Sequence, residues 1–440
     1  MRTLVEELSQ HIGQEVEVQG WVNTVRSQKR MMFLVLRDFT GMVQLVHERQ
    51  EENDAIGDII SGLTTESTIT VKGRVVDNPQ VKLGGLEIVI TEIVVESMAK
   101  APLPIVLSKT DNLPDLDIRM NFRWLDLRRP EEQLIFHIQT TIEAAMREFW
   151  LEHGFIEIHS PKLMGAASES GAELFKLPYF GGKMACLAQS PQFYKQMAMC
   201  AGFERVFEIG PVFRANPSFT SRHDTEFTSV DMEISWITSH ENVMALEEAW
   251  ICHILTKVGK QYGDKIKAAF SSEVVVPKIP FPRIPLSEAR LIVEERGHRI
   301  PADAKDLDPT GEKVLGNYVM EKYNHEFVFV TDYPITVRPF YHMRYPDKPD
   351  TTKSFDLLWQ GLEITTGAQR EHRYDILCRQ AREKGFALEP LQFYLDFFKF
   401  GCPPHGGLGF GLTRMLMVML NKSNVREVTY IYRGPNRLNP

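Results

Sequence analysis

The first 100 residues contain five short runs in which apolar and β-branched residues recur or alternate with polar ones, a pattern typical of strands. These runs cover residues 16–22, 32–37, 42–46, 68–76 and 86–95. The sequence Asp-Phe-Thr-Gly at 38–41 predicts a hairpin turn between the second and third strands, and residues 53–63 predict a helix before the fourth. This is the element order of an OB-fold, a barrel that commonly binds single-stranded nucleic acid.

The remaining residues are predicted to form a second, larger domain, because a chain of 440 residues exceeds the size of one ordinary domain. Pro102, Pro104 and Pro114, within residues 101–130, indicate a hinge. The predicted organisation is therefore a barrel at 1–100, the hinge, and a domain at 131–440.

The larger domain mixes helical and strand patterns. A long amphipathic helix over about 131–153 comes first, and a polar, helix-rich stretch at about 258–325 is interpreted as an insertion. Helices combined with strands in this arrangement predict an α+β fold on an antiparallel sheet. The predicted strands cover residues 155–159, 205–209, 231–236, 327–331 and 361–365.

Composition excludes several classes of protein. Hydrophobic residues make up 43% and charged residues 25% of the chain, as in soluble globular proteins. The N-terminus lacks the apolar region of a signal peptide, and the apolar stretch at 415–420 is far too short to span a bilayer. Five scattered cysteines without a C-x-x-C pair predict reduced thiols in the cytoplasm, and a net charge of −8 still permits a local basic surface for nucleic acid.

Two segments suggest binding of a phosphorylated ligand. Arg214 follows a predicted strand and precedes a basic loop with Arg222 and His223, an arrangement suited to holding anions. Taken alone, Arg214 could equally pair with a nearby carboxylate. The glycine-rich stretch at 406–414 predicts a strand leading into a helix, where a ligand can approach the backbone closely.

With the long helix at 131–153, these segments resemble the three signature motifs of the class II aminoacyl-tRNA synthetases, in the aspartyl branch of their subclass b. Residues 131–161 resemble motif 1, which forms the dimer interface in that family, residues 213–233 resemble motif 2, and residues 409–414 resemble motif 3. Residues 123–128 are also typical of the subclass. The resemblance covers essentially the whole chain and implies a homodimer that uses ATP, an amino acid, tRNA and Mg²⁺.

The residues that match the family's amino-acid pocket favour L-aspartate. The sequence at 189–196 is similar to the aspartyl segment whose lysine, here Lys195, contacts the substrate's side-chain carboxylate, and Arg370 matches the second cation. Two buried cations facing the neutral amide of asparagine would lack compensating charge. A lone lysine is commonly solvated, but its pairing with Arg370 favours a role in the pocket. The resemblance implies a substrate site made of Glu169, Gln192, Lys195, Arg214, Asp231, Thr366 and Arg370, with Lys195, Arg214 and Arg370 also as catalytic residues.

A magnesium site is predicted where two carboxylates lie seven residues apart. Asp356 and Glu363 would lie on neighbouring strands if a turn falls at 360–361, and Mg²⁺ prefers hard oxygen ligands beside phosphates. Either carboxylate alone could be solvated. With the family match, Asp356, Glu363 and Thr366 are the predicted ligands.

The resemblance also implies the ATP site. Arg214 would neutralise the α-phosphate, Arg222 would lie near the terminal phosphates, and Phe227 and Arg414 would enclose the adenine. The full predicted set is Arg214, Ala215, Asn216, Arg222, His223, Asp224, Phe227, Glu363, Gly411, Leu412, Thr413 and Arg414. The chain departs from the family at Ser170, where glycine is usual, and at Asn216 and Thr413, where acidic residues are usual.

The barrel is predicted to read the anticodon through unstacked bases. Phe33 matches the family's stacking aromatic residue and Gln44 its hydrogen-bonding glutamine, although Phe33 could instead be a core residue. The predicted anticodon residues are Asn23, Arg26, Phe33, Gln44 and Lys82, with Lys29 and Arg30 as further phosphate contacts.

Two hypotheses for the tRNA stay open. Family members that charge only tRNA-Asp carry tryptophan at the position matching Asn23 and lysine at the position matching Lys82, and this chain has only the second. The enzyme would therefore charge either tRNA-Asp alone or both tRNA-Asp and tRNA-Asn.

Three alternative functions are less consistent with the sequence. An asparaginyl-tRNA synthetase is disfavoured by Lys195 and Arg370, and a paralogue that does not charge tRNA is disfavoured by Arg214, Glu363 and Arg414. An asparagine synthetase derived from this family would be expected to lack the N-terminal barrel.

Overall fold

The computed structural model describes residues 2–50, 52–107, 113–165, 174–217, 220–301 and 303–440. The chain divides into two compact units, Met1–Val106 and Leu107–Pro440. Among the helices in the described part of the chain, none combines the length and the apolar character that a membrane crossing requires.

The N-terminal unit is a closed five-stranded barrel with strand order β1-β2-β3-β5-β4. Neighbouring strands are antiparallel except β3 and β5, which are parallel. The helix α1 lies between β3 and β4 in the chain, and the Asp54 side chain accepts a hydrogen bond from the Gly57 backbone N–H at its start. The OB-fold prediction is confirmed. The elements are β1 (Glu15–Ser27), β2 (Met31–Arg37), β3 (Met42–Glu48), α1 (Ala55–Gly62), β4 (Thr68–Asp77) and β5 (Leu86–Ser97).

The first strand is longer than the sequence pattern predicts. Its pairing register with β2 shifts between Val22 and Thr24, so a β-bulge lies at Asn23. A bulge inserts one extra residue and interrupts the alternation of inward and outward side chains. The alternation therefore stops at Val22 in the sequence, although the strand continues to Ser27.

The larger unit is built on an eight-stranded sheet with order β12-β13-β14-β15-β16-β11-β10-β6. The six central strands are antiparallel to their neighbours, as predicted, but β12 and β6 at the two edges pair in parallel. The sheet is therefore mixed, because each edge strand returns to the sheet through a crossover instead of a hairpin. A small separate sheet has the order β7-β9-β8. The strands are β6 (Ile156–Glu157), β7 (Leu163–Met164), β8 (Lys176–Tyr179), β9 (Lys183–Leu187), β10 (Arg205–Phe213), β11 (Glu226–Ser235), β12 (Arg283–Pro285), β13 (Phe327–Thr331), β14 (Ser354–Trp359), β15 (Leu362–Gln369) and β16 (His405–Gly411).

Two long helices, α4 and α6, pack together against this sheet. The rings of Trp150 on α4 and Trp250 on α6 stack with centroids 4.7 Å apart, and Trp250 meets Phe410 of β16 edge-on. This large apolar core holds the strands whose other face carries the site described below. The helices are α2 (Leu116–Asn121), α3 (Arg123–Asp126), α4 (Pro130–Glu152), α5 (Gln192–Cys200), α6 (Glu241–Phe270), α7 (Leu286–Glu295), α8 (Pro309–Tyr323), α9 (Tyr374–Glu383), α10 (Gln392–Leu395), α11 (Leu412–Met419) and α12 (Val425–Val428).

The stretch at 258–325, interpreted above as an insertion, is integrated into the sheet. It supplies the edge strand β12, and α7 and α8 bury apolar side chains against β13 and β14. At the contact between α8 and the β14–β15 turn, a Cβ added to Gly316 would lie 2.6 Å from the Gly361 backbone nitrogen. The two backbones approach this closely only because both residues are glycine.

Candidate active site

A cavity of about 310 Å³ opens over strands β11, β15 and β16 of the larger unit. Lys195, Ala215, Leu412 and Asp356 do not line it, and Glu169 and Ser170 lie outside the described residues. All of the other predicted substrate and ATP residues line the cavity. They are Gln192, Arg214, Asn216, Arg222, His223, Asp224, Phe227, Asp231, Glu363, Thr366, Arg370, Gly411, Thr413 and Arg414.

Lys195 lies beneath one end of the cavity and is only 2% exposed. Its Nζ donates to Asp231 Oδ1 at 2.8 Å and to the Leu408 backbone carbonyl at 2.8 Å, and lies 3.5 Å from Glu233 Oε2. The other oxygen of Asp231 accepts from the Ser229 hydroxyl at 2.5 Å. The ammonium group is therefore fixed in place and is not a solvated surface charge.

Arg370 is buried beside this lysine, and the two cations share one carboxylate. The Arg370 Nε donates to Glu233 Oε1 at 3.0 Å, and one terminal nitrogen donates to the Gly407 carbonyl at 3.0 Å. The other terminal nitrogen lies 2.9 Å from His342 Nε2, which must accept because arginine only donates. Burial and the adjacent Arg370 lower the pKa of His342 well below its usual value, so the ring is neutral.

The carboxylates around Lys195 and Arg370 affect how these cations can distinguish aspartate from asparagine. The cations Lys195 and Arg370 already face the carboxylates Asp231 and Glu233, so they do not form an uncompensated pair of charges. Their remaining property is that both side chains can only donate hydrogen bonds. The side-chain carboxylate of aspartate has two oxygen atoms that accept hydrogen bonds from these donors. In asparagine one of these oxygens is replaced by an NH₂ group, which is itself a donor and cannot accept.

Several residues at this end of the cavity are not among the site residues predicted from the sequence. Glu233 could have been found, because it lies two residues after Asp231 on β11 and therefore faces the same side of the sheet. His342 and Arg338 come from a segment between β13 and β14 that has no strand or helix pattern. Their positions depend on tertiary structure alone.

The opposite end of the cavity is more open and carries the predicted nucleotide residues. The guanidinium carbon of Arg214 lies 5.3 Å from the centroid of the Phe227 ring. Arg414 donates to the Glu363 carbonyl at 2.9 Å and to its side-chain Oε1 at 3.2 Å. Glu363 thus provides an acidic partner for Arg414, although Thr413 replaces the family's usual acid.

The loop between β10 and β11 brings three further predicted residues to this end. Arg222 donates to Glu312 Oε2 of α8 at 2.7 Å. Burial lowers the pKa of His223, and the nearby Arg414 lowers it further. Burial raises the pKa of Asp224 to about 7.

The predicted magnesium ligands lie on two paired strands. The β14–β15 turn falls at Gln360 and Gly361, both with positive φ, and Asp356 is the direct partner of Thr366 across the two strands. Asp356 Oδ2 accepts from Arg338 at 2.6 Å, and its Oδ1 is buried without a hydrogen-bond partner among the described residues. Burial raises the pKa of Asp356 to about 6.

These oxygen atoms fit a hard divalent cation. Thr366 Oγ1 donates to Glu363 Oε1 at 3.3 Å, and the orphaned Asp356 Oδ1 lies in the strand beside them. In the described part of the chain, no three His, Cys, Asp or Glu side chains converge closely enough to hold an ion on their own. Two carboxylates completed by phosphate and water are the usual magnesium arrangement.

The predicted anticodon residues lie on the barrel unit. Arg26 on β1 is the direct partner of Phe33 on β2, and Phe33 is half-buried. Gln44 on β3 donates to Glu87 Oε2 at 2.9 Å, which fixes the orientation of its amide. Asn23 lies at the bulge, and Lys82 is exposed in the connection between β4 and β5.

Comparisons with known proteins agree with both units. A family model described as tRNA synthetases class II (D, K and N) matches residues 115–432, and one described as OB-fold nucleic acid binding domain matches residues 16–96. The chain is 44% identical over 438 residues to an aspartate–tRNA(Asp) ligase of Pyrococcus abyssi, covering 99% of this chain and 98% of the relative. It is 44% identical over 429 residues to an aspartate–tRNA(Asp/Asn) ligase of Methanopyrus kandleri, covering 97% and 96%.

A similar solved structure is the asparaginyl-tRNA synthetase of Pyrococcus horikoshii complexed with asparaginyl-adenylate. The TM-score is 0.92 at 30% identity, and all of both chains is covered. The fold is thus shared between enzymes that differ in their amino acid.

Proposed function

The chain belongs to the class II tRNA synthetases and is an aminoacyl-tRNA ligase, and we propose that it activates L-aspartate with ATP and transfers the aspartyl group to the 3′ end of tRNA. The observation that carries the choice of aspartate is the buried pair Lys195 and Arg370, held side by side by Glu233. Two relatives that are each 44% identical to this chain are named aspartate–tRNA ligases, which supports this choice. The asparaginyl alternative is not favoured.

In the first step, the α-carboxylate of aspartate attacks the α-phosphorus of ATP, and the bond to the bridging oxygen of the β-phosphate breaks. Pyrophosphate leaves and aspartyl-adenylate forms. Arg214, at the wall of the cavity, would donate to the α-phosphate as negative charge accumulates there. No side chain needs to act as a base, because the nucleophile is already ionised and the protein contributes position and charge.

Lys195 and Arg370 would hold the side-chain carboxylate of aspartate. Asp231, fixed by Lys195 and Ser229, would accept from the α-ammonium group, together with Glu169 as the resemblance implies. Gln192 lines the same end of the cavity. In the second step, the terminal ribose hydroxyl of tRNA attacks the adenylate carbonyl, and AMP leaves.

Magnesium would be held by Asp356, Glu363 and Thr366 together with phosphate oxygens. Bound there, it would supply charge neutralisation for the polyphosphate and the departing pyrophosphate. Arg414, paired with Glu363, and Phe227 would enclose the adenine ring between a cation and an aromatic face. His223, Asp224 and Asn216 would complete the nucleotide site.

The test of this function is aminoacylation of purified tRNA-Asp with labelled aspartate. We expect charging that requires both ATP and Mg²⁺. Failure to charge tRNA-Asp with aspartate, in protein that is folded and binds ATP, would contradict the proposal.

We also propose that the barrel reads the anticodon, with Phe33 stacking on a base and Gln44 bonding to a base edge. The hydrogen bond from Gln44 to Glu87 supports this role, because it leaves the amide oxygen oriented to accept. Arg26 would contact a phosphate or a base of the tRNA, and Lys82 would lie at the anticodon site.

A second proposal concerns tRNA-Asn. Asn23, a short side chain at a bulge, stands where tRNA-Asp-specific members carry tryptophan, which favours an enzyme that charges both tRNAs. Charging purified tRNA-Asp and tRNA-Asn side by side tests this. Comparable rates would support it, and a preference of more than about 10³-fold for tRNA-Asp, the range of strong discrimination, would overturn it.

We propose a homodimer that forms through motif 1 in the cytoplasm. Near the end of α4 and just beyond it, Leu151, Ile156 and Leu163 expose large apolar side chains, as an uncovered interface does. None of the five cysteines forms a disulfide. Light scattering at micromolar concentration should give twice the chain mass of 50.5 kDa.

A further inference from the structure

Glu312 has no role in the proposed function, yet its side chain contacts Arg222, which lines the nucleotide end of the cavity. It lies in the first turn of α8, within the stretch at 258–325. Its Oε2 accepts from a terminal nitrogen of Arg222 at 2.7 Å, and both side chains are mostly buried. The two residues are 90 positions apart in the sequence, so this ion pair is a product of the tertiary fold.

The fold brings Glu312 to this place through a close backbone contact. A Cβ on Gly361 would lie 2.6 Å from the Lys313 Cα and 2.8 Å from the Glu312 carbonyl oxygen. The first turn of α8 is therefore pressed against the turn that leads into Glu363. Asp308 fixes the start of the helix, because its side chain accepts a hydrogen bond from the Gly311 backbone N–H.

Glu312 lies in the electrostatic field of one carboxylate, Glu363, and of two guanidinium groups, Arg222 and Arg414. Burial and the neighbouring Glu363 raise the pKa of Glu312 to about 7, whereas Arg222 and Arg414 oppose that shift. A second acid placed next to Glu363 is unfavourable by itself. The arrangement is stable because Arg222 compensates it, so the two residues depend on each other.

We infer that Glu312 is a positioning residue that holds one edge of the Arg222 guanidinium, so that its remaining N–H donors face the terminal phosphates of ATP. This rests on the proposed function, in which Arg222 binds those phosphates. The guanidinium is planar and has five donors in a fixed fork. Fixing one edge by a charged hydrogen bond sets the direction of the others and reduces the freedom lost when ATP binds.

The test is ATP–pyrophosphate exchange with Glu312→Gln, which keeps the size of the side chain and removes its charge. We expect KM for ATP to rise about tenfold, the effect of losing one charged hydrogen bond, with kcat and KM for aspartate changed by less than about twofold. Inhibition by AMP should be unchanged, because AMP lacks the terminal phosphates. A residue that only stabilises the fold would affect all of these constants together.

Glu321→Gln is the matched control. Glu321 lies on the same helix and pairs with Arg296 at 2.7 Å at the exposed surface, so its loss also removes an arginine–glutamate pair from α8. We expect its KM for ATP to equal that of the unmodified enzyme. In an Arg222→Ala background, Glu312→Gln should add no further increase in KM for ATP.

The possible failures are distinguishable. An unchanged KM for ATP in Glu312→Gln, while Arg222→Ala raises it, overturns the inference and leaves the proposed function intact. Equal weakening of ATP and AMP binding also overturns it. An unchanged KM in Arg222→Ala overturns the assignment of Arg222 and the inference with it, and absence of any aspartate-dependent exchange overturns the proposed function itself.

Discussion

The two ends of the cavity are built differently. At the amino-acid end, Lys195 and Arg370 are about 2–3% exposed and each makes several hydrogen bonds to buried acceptors. At the nucleotide end, Arg414 and Glu363 keep 23% and 34% of their side chains exposed, and the neighbouring Arg222 has one carboxylate partner. A buried network of fixed hydrogen-bond donors can discriminate between ligands of equal shape, whereas an open end can admit a large polyphosphate with its ion.

The largest effect is expected from Lys195→Met, which breaks the closed network. It leaves Asp231 and Glu233 buried without one of their cations, at a cost of about 3–5 kcal/mol. We expect kcat/KM for aspartate in ATP–pyrophosphate exchange to fall by more than about 10³-fold, with a lowered Tm. Lys267→Met, which removes a lysine from an exposed pair with Glu273, should retain full exchange. A loss of less than tenfold in Lys195→Met would show that the closed network does not select the substrate.

Arg214→Ala tests the catalytic role at the open end. Loss of the group that neutralises the α-phosphate should lower kcat for exchange by about 10²–10³-fold, as for other lost donors to a developing charge. KM for aspartate should change little, because the amino-acid network is intact. Arg205→Ala removes an exposed arginine at the start of β10, the strand that Arg214 follows, and should leave exchange unchanged. A large rise in KM for aspartate would instead mean that the two ends are not independent.

Glu363→Gln should give a smaller effect that depends on magnesium. We expect the Mg²⁺ concentration for half-maximal exchange to rise about tenfold, because one hard carboxylate ligand is weakened. Excess Mg²⁺ should restore most of the rate, whereas it should not rescue Lys195→Met. Lack of any shift in the Mg²⁺ titration would remove Glu363 from the metal site.

The smallest effect concerns the buried Asp224 and is seen in stability. Burial raises its pKa to about 7, so the folded state binds more protons than the unfolded state between about pH 4 and 7. Stability therefore falls as the pH rises through this window. The Asp224→Asn variant lacks this contribution. Between pH 5 and 8 we expect the Tm of the unmodified protein to fall more than the Tm of the variant, by at least about 2 °C. Parallel Tm curves would show that Asp224 is ionised throughout.

Sequence patterns predicted the features that depend on local order. The barrel strands follow from alternation, and the positions of Arg214, Phe227 and Arg414 follow from motifs with short spacing. The strand pattern missed the second half of β1, because the bulge at Asn23 interrupts the alternation of inward and outward side chains. The edge strand β12, within the stretch at 258–325, has only three residues and is too short to give a recognisable strand pattern.

Long-range partners could not be predicted from the chain alone. Lys195 was identified as a cation for the substrate, but its pairing with Asp231 and its approach to Glu233 depend on α5 packing beneath β11 and β16. Glu312 reaches Arg222 only because two glycines let α8 approach the β14–β15 turn. Charge balance in a buried site is a property of such contacts, and here Asp231 and Glu233 compensate the two cations that the sequence shows without partners.

We propose that the hydrogen-bond donors at the closed end, Lys195 and Arg370, select aspartate over asparagine. The direct test is ATP–pyrophosphate exchange with each amino acid, comparing kcat/KM on one preparation of the unmodified protein. We predict a preference for aspartate of about 10⁴-fold or more, the range reached by sites that require a specific polar partner. Equal exchange with both amino acids, or a preference for asparagine, would show that these donors do not select aspartate.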